Sequence, residues 1–255
     1  MAKHATVWMN FLKNSIENGD YTVIGILVAL AVIFFTFLIF GVFKRRSNKR
    51  RGVLILGGCD AGKTLLFSRL VYKTHKATFT SISPNTGTYS VPEKGKSLSL
   101  YDLPGHERVR LQMLEKYKDM TRAIMFVVDS SSVQKDIKDI AEYLYTILSD
   151  NVISNISPPI LIACNKQDLT FSKGAKIIQG QLEKEMNTLR VTKSGALQDI
   201  SAGNNNTYLG KRDKDFSFSD LKPLHIEFTE CSALSKHSDM EPDLKSVEEW
   251  LTKIA

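Results

Sequence analysis

The chain has 255 residues, of which 43% are hydrophobic and 24% are charged, as in ordinary globular proteins of one or two domains. Six Lys and Arg residues between positions 44 and 51 account for most of the net charge of +7, and without them the balance is 7 − 6 = +1. Composition therefore does not support a nucleic-acid-binding surface. The three cysteines, Cys59, Cys164 and Cys231, lack metal-ligand spacing, which predicts buried or reduced thiols in a reducing compartment.

An uncharged apolar run of 23 residues extends from Tyr21 to Phe43. A helix rises about 1.5 Å per residue and a hydrocarbon core is about 30 Å thick, so the run predicts a transmembrane helix. A cleaved signal peptide is the alternative, but the run is too long and no small-residue cleavage site precedes the basic cluster. The basic juxtamembrane linker, 44–51, predicts that 1–20 lies outside the cytosol and that 52–255 is cytosolic.

The next strand-like run ends in Gly57–Thr64, which follows the pattern GxxxxGKT. This pattern is typical of a phosphate-binding loop, although a chance glycine-rich turn is the alternative. Backbone N–H groups wrap the phosphates, Lys63 adds charge, Thr64 places a hydroxyl on Mg²⁺, and the following helix adds its positive dipole end. The predicted phosphate-binding residues are Gly57, Gly58, Cys59, Asp60, Ala61, Gly62, Lys63, Thr64 and Leu65.

Strands and helices are predicted to alternate through the rest of the chain. Thr74–Gly87 is rich in Thr and Ser, which predicts an exposed loop able to act as a switch. The predicted strands are 53–56, 89–91, 98–101, 123–129, 160–165 and 224–231, and the predicted helices are 135–149, 183–189 and 243–254. Such an order predicts an α/β fold with a mostly parallel central sheet covered by helices on both faces. Residues 191–222, with many Gly, Asn and Ser, are predicted to form a mobile insertion loop.

Two further motifs follow predicted strands. Asp102–Gly105 matches DxxG, in which Asp102 reaches Mg²⁺ through water and the Gly105 amide bonds the γ-phosphate. Asn165-Lys166-Gln167-Asp168 lies at the carboxyl end of a strand, where open α/β sheets bind ligands. The Asp168 carboxylate can accept from N1–H and the 2-amino group of guanine. Adenine has neither donor, so it would leave the buried acceptors unpaired. Backbone N–H groups of Cys231–Leu234 can reach guanine O6.

In this order and spacing the motifs resemble the small GTPase superfamily of P-loop proteins, over residues 53–255. The resemblance implies GTP and Mg²⁺ as ligands, with switch II from Asp102 to Arg110. It implies that the base is recognised by Asn165, Lys166, Asp168, Ser232 and Ala233. It also implies a switch I metal ligand before the second strand, for which Thr86 is the first choice and Thr80, Ser81 and Ser83 are open alternatives.

One position departs from the superfamily pattern. Many members carry Gln directly after the DxxG glycine to orient the attacking water, and here the residue is His106. A neutral imidazole can also orient water, and the Sar branch has His at the matching place. His106 is therefore the predicted catalytic residue, and the chain is expected to be a GTP-binding protein with at most slow or partner-assisted hydrolysis.

The apolar run, the basic linker, an Arf/Sar-like Asp102–Glu107 segment and the closing helix together resemble the beta-subunit family of the signal recognition particle receptor. The resemblance implies a single-pass protein of the endoplasmic reticulum membrane that acts in co-translational protein targeting. It implies GTP-dependent binding of the receptor alpha subunit through the switch regions, and it allows contact with the ribosome or translocon but no direct nucleic-acid binding. A Sar-like switch that hydrolyses GTP to control vesicle-coat assembly is the alternative. The Asn165–Asp168 motif disfavours an ATPase or small-molecule kinase.

Overall fold

The computed structural model describes residues 21–49, 52–75, 81–92, 94–198, 209–235 and 241–255. The chain divides between Lys49 and Arg50 into two units. The first contains helix α1, Tyr21–Lys49, on which apolar side chains such as Ile26, Phe37 and Phe40 are more than half exposed. Among the described residues, no helix combines the length and apolar character needed to cross a membrane. The transmembrane helix at 21–43 therefore stays a prediction, and the segment 1–20 lies outside the described residues.

The second unit alternates strands and helices. Its strands are β1 (Gly52–Gly57), β2 (Asn85–Ser90), β3 (Ser97–Asp102), β4 (Thr121–Asp129), β5 (Ile160–Asn165) and β6 (Ile226–Glu230). Its helices are α2 (Lys63–Tyr72), α3 (Glu107–Tyr117), α4 (Val133–Leu148), α5 (Asn151–Ile156), α6 (Ala175–Gln198) and α7 (Lys245–Ile254). Short 3₁₀ turns cover Lys118–Met120 and Phe218–Asp220.

The strands form one sheet in the order β2-β3-β1-β4-β5-β6. Strand β2 pairs antiparallel with β3, and the other pairings are parallel, so the predicted sheet is confirmed. In the register of the sheet, Asp102 lies opposite Ile55 of β1, and Asp129 lies opposite Asn165. The carboxyl ends of β1, β3, β4 and β5 therefore meet at one edge, which we call the site edge.

The side chains of the central strands alternate between two apolar clusters, as period-two geometry requires. In β1, Leu54 and Leu56 face the cluster formed with α4 and α6. Val53 and Ile55 face the cluster formed with α2 and α7. Because both faces are covered, these strands read as continuous apolar runs in the sequence, and the predicted helix layers are confirmed.

The prediction of a loop over 74–87 is wrong at the carboxyl end of that range. Residues 85–87 belong to β2, where Asn85 pairs with Asp102 and Gly87 with Leu100. An edge strand with one solvated face needs few apolar residues, so its polar sequence reads as a loop. The hairpin is otherwise confirmed, with longer strands than predicted.

The prediction of an insertion loop over 191–222 is wrong in two parts of that range. Helix α6 continues to Gln198, and Leu209, Phe216, Phe218 and Leu221 are buried in the cluster formed with α4 and α6. The Gly- and Asn-rich stretch that favoured a loop spans 199–208, which lies outside the described residues. The buried apolar side chains that follow, from Leu209 to Leu221, pack the chain after this stretch against the cluster. Helices α3 and α5 were not predicted.

Candidate nucleotide-binding site

The loop between β1 and α2 has the backbone of a tight anion cradle. Gly57, Asp60 and Gly62 have φ values of 137°, 55° and 88°. A Cβ at Gly57 would lie 2.2 Å from the Val127 carbonyl oxygen, and one at Gly62 would lie 2.3 Å from Nδ2 of Asn165. Only glycine fits either position, and the loop leads directly into the unpaired N–H groups of the first turn of α2. These groups suit a phosphate.

Lys63 lies in the floor of this loop and is 7% exposed. Its Nζ donates to the Gly58 carbonyl oxygen at 2.5 Å. Burial lowers the pKa of Lys63, and the nearby Asp102 carboxylate opposes that shift. A Cβ at Gly105 would lie 2.5 Å from Nζ, so the DxxG backbone lies directly against the ammonium. The loop therefore presents a nearly buried cation whose hydrogen-bond acceptor is a neutral carbonyl, which phosphate oxygens can replace.

Thr64 and Asp102 lie together beside the cradle. Thr64 Oγ1 donates to Asp102 Oδ2 at 2.8 Å and is 3.2 Å from Ser81 Oγ, while Asn85 Nδ2 donates to the same Oδ2 at 2.9 Å. Asp102 is fully buried, and its Oδ1 has no hydrogen-bond partner among the described residues. Burial raises the pKa of Asp102, although the bonds from Asn85 and Thr64 lower it. A carboxylate with a free oxygen beside two hydroxyls is a donor set that fits Mg²⁺.

The structure does not bring Thr86 into this site. Thr86 pairs with Tyr101 in β2 and is exposed. Because strand side chains alternate, Asn85 bonds Asp102 and Thr86 points to the opposite face. Ser81, one of the open alternatives, is the residue whose hydroxyl lies at Thr64. Asn85 was missed by sequence reasoning, since no motif marks it.

His106 is also outside the cleft. It is exposed and caps the N-terminus of α3, where its Nδ1 accepts from the Arg108 N–H at 3.3 Å. The cleft has a volume of about 280 Å³ and is lined by Cys59, Asp60, Gly62, Lys63, Thr64, Leu65, Ser81, Leu103, Pro104, Gly105 and Lys166. Most of the predicted phosphate-binding residues are in that lining. The cysteine among them is exposed, and Cys164 and Cys231 are buried free thiols.

Asn165 joins the cradle to a second loop. Its Nδ2 donates to the Ala61 carbonyl oxygen at 2.8 Å, and its Oδ1 accepts from the Ala233 N–H at 3.0 Å. The side chain is 1% exposed, so both bonds are shielded from water. Asn165 thereby fixes the phosphate loop relative to the turn that contains Ser232 and Ala233.

The remaining motif residues line up along the site edge. Lys166 has a φ of 67°, and its Nζ is 2.6 Å from Asp129 Oδ2. Burial acts to raise the pKa of Asp129, but bonds from Lys166 and Ser131 outweigh it and hold the pKa below its ordinary value. Asp168 Oδ1 accepts from Ser232 Oγ at 2.6 Å, beside a further cleft of about 250 Å³. Asp129 was missed, although its place at the carboxyl end of β4 is the same signal that marked Asn165.

A phosphate loop, a DxxG turn and an Asn-Lys-x-Asp loop at one edge of a mostly parallel sheet define a P-loop small GTPase. The family model of the signal recognition particle receptor beta subunit matches residues 48–224. The chain belongs to this family.

The relatives agree with the family match. The human signal recognition particle receptor subunit beta is 45% identical over 251 residues, which cover 97% of this chain and 92% of the relative. A structure of the mammalian SRP receptor has a TM-score of 0.70 at 48% identity and covers 80% of this chain and 100% of that one. The SRb-GTP/SRX complex from Chaetomium thermophilum, at 20% identity, has a TM-score of 0.63 over 79% of this chain and 99% of that one, which shows the shared fold.

Proposed function

We propose that this chain is a membrane-anchored subunit of a signal recognition particle receptor that binds GTP and, in the GTP state, holds the receptor alpha subunit. Membership of the family supports the role in targeting. The observation that carries nucleotide binding is the Asn165 bridge, because one buried side chain fixes the phosphate cradle relative to Ala233 and the neighbouring Asp168–Ser232 pair. A cradle alone would suit any phosphate. A cradle rigidly linked to a carboxylate that can read a base suits a guanine nucleotide.

The residues present fit GTP and Mg²⁺. The residues proposed to bind phosphate are Gly57, Gly58, Cys59, Asp60, Ala61, Gly62, Lys63, Thr64, Leu65 and Gly105. Those proposed to bind the base are Asn165, Lys166, Asp168, Ser232 and Ala233. Thr64, Asp102 and Ser81 would hold Mg²⁺, which would supply positive charge beside the phosphates. Lys63 would add its own charge, and its burial makes that charge effective because little water screens it.

The contacts of residues 81–85 give the site a way to control a partner. Ser81 lies on Thr64 and Asn85 bonds Asp102, so the groups proposed to bind Mg²⁺ also hold this loop. Binding of a metal by Thr64 and Asp102 would change those bonds. Gly105 lies against Lys63 and begins the turn that leads into α3. GTP and GDP would contact these groups differently. Exchange of one for the other can therefore shift the loops that are proposed to form a docking surface.

The anchor is proposed from the sequence of α1. Its residues 21–43 carry no charge and are followed by the basic linker, which suits a single span with 52–255 in the cytosol. Residence in the endoplasmic reticulum membrane is proposed from the family resemblance. The Sar-like alternative requires reversible release from the membrane, which a permanent span would prevent.

The test separates nucleotide-dependent binding from turnover. Thr64→Asn removes the hydroxyl proposed to bind Mg²⁺, so it should release the alpha subunit in co-immunoprecipitation while the chain stays in the membrane. His106→Ala removes the side chain predicted to be catalytic, so it should slow hydrolysis in a single-turnover assay. It keeps the Thr64–Ser81 and Asn85–Asp102 contacts, so the partner should stay bound. Thr188→Asn on α6 and the exposed His225→Ala are matched controls. Retention of the partner by Thr64→Asn would show that GTP does not control docking.

A further inference from the structure

A second cleft lies between α2 and the chain that enters α7, away from the phosphate cradle. Its volume is about 380 Å³, and it shares no lining residue with the phosphate cleft. Its lining contains three cationic side chains, Arg69, Lys73 and Lys245, and two carboxylates, Glu241 and Glu248. The net charge of the lining is therefore +1 (3 − 2). We call it the α2–α7 cleft. Such a charge balance suits an anionic ligand.

The cations of the α2–α7 cleft are not equally engaged. Lys73 Nζ forms an ion pair with Glu248 at 2.6 Å. Arg69 and Lys245 form no ion pair with a carboxylate of the described residues. Two cations at the rim of one concave site are therefore left to bind a ligand.

One hydrogen-bond donor in this lining also lacks an acceptor. Arg69 Nε is buried and has no partner among the described residues. Buried donors without an acceptor are rare in proteins, so Arg69 is expected to gain an acceptor from a bound ligand.

We propose that the α2–α7 cleft binds a phosphate monoester, with Arg69 and Lys245 as its charge partners. A guanidinium matches the geometry of phosphate oxygens, and a phosphate offers several acceptors to donors that come from different elements. The phosphate belongs either to a soluble metabolite or to a lipid headgroup. Because α2 begins at Lys63 and Thr64, this ligand would bind the far end of the helix whose first turn forms the cradle.

The first experiment measures binding of inorganic phosphate to the detergent-solubilised full chain by ³¹P line broadening. A Lys63→Gln background removes the contribution of the phosphate loop without any need for nucleotide. In that background, Arg69→Gln and Lys245→Gln should each weaken binding at least tenfold, while Lys253→Gln, an exposed lysine of α7, should leave it unchanged. Equal binding by Arg69→Gln and its parent would overturn the proposal.

A second arm identifies the source of the phosphate. The full chain is reconstituted in nanodiscs of phosphatidylcholine with or without phosphatidylinositol 4-phosphate. A headgroup ligand predicts Arg69-dependent retention of that lipid, and a soluble ligand predicts binding of inorganic phosphate alone. Absence of Arg69-dependent binding in both arms would refute the site, whatever the affinity for GTP.

Discussion

Asp102 carries a buried carboxylate that is only half satisfied. Its Oδ2 accepts from Thr64 and Asn85, whereas Oδ1 has no partner among the described residues. Burial raises the pKa of Asp102 above its ordinary value of 3.8, which means that the ionised form destabilises the fold without a ligand. A site that keeps such a group trades stability for the ability to bind a cation.

Asp102→Asn should therefore stabilise the chain in the absence of nucleotide, by about 1–2 kcal/mol. It should also remove the rise in unfolding temperature that GTP with Mg²⁺ is expected to give the wild type. Because the folded pKa is raised, the wild type gains stability as the pH falls through that pKa, so the difference between the two chains should shrink in the window just above pH 3.8. Thermal unfolding with and without nucleotide measures both effects, and Asp119→Asn, an exposed residue, is the control.

Asp168 is the residue proposed to set base specificity. Asp168→Asn replaces an acceptor by a donor, so GTP should bind about 10–100 times more weakly and xanthosine triphosphate more tightly, because xanthine carries an oxygen where guanine has the 2-amino group. Titration of the two nucleotides measures the exchange, with Asp213→Asn as an exposed control. Unchanged GTP affinity would remove the Asn165–Asp168 loop from the site.

At the scale of elements, a bidentate ion pair links α3 to α4. Arg110 Nη1 and Nη2 donate to Asp139 Oδ2 and Oδ1 at 2.9 and 2.6 Å. The guanidinium also lies 4.6 Å from the centroid of the Tyr143 ring. Since α3 follows Gly105 and His106 directly, this contact limits how far a change at the DxxG turn can move the helix.

Arg110→Lys keeps the charge but loses the second bond and the ring contact. It should destabilise the protein by about 1–2 kcal/mol, a modest value because the Asp139 side chain is 39% exposed. Amide hydrogen exchange at 107–117 should quicken, while GTP affinity should change little. Arg108→Lys, two positions away and exposed, should do neither. Equal exchange in the two variants would show that the ion pair does not hold α3.

At the scale of the whole molecule, two residues separate the end of α1 from the start of β1. Protease added to sealed microsomes should digest 52–255, because the basic linker is expected to keep that part on the cytosolic side. Immunoblotting with an antibody to the carboxyl terminus measures the loss, and detergent-permeabilised microsomes show full accessibility. Protection that ends only when detergent is added would reverse the proposed topology.

The sequence by itself determined the motifs and the class of fold. Gly57–Thr64, Asp102–Gly105 and Asn165–Asp168 are contiguous, and the backbone each needs is set by the residues within it, so they can be read without coordinates. The strands β4 and β5 were equally readable, because burial on both faces leaves an apolar residue at every position.

Only the tertiary structure decided which distant side chains meet. The bond between Asn165 and Ala61 spans 104 positions, and the choice of Ser81 over Thr86 at Thr64 depends on the course of one loop and the register of one edge strand. The two cations proposed to bind phosphate in the α2–α7 cleft likewise come from two elements, α2 and α7. Local residue preferences do not encode such contacts, because a shift of one residue in the register of a strand reverses which side chains face the site.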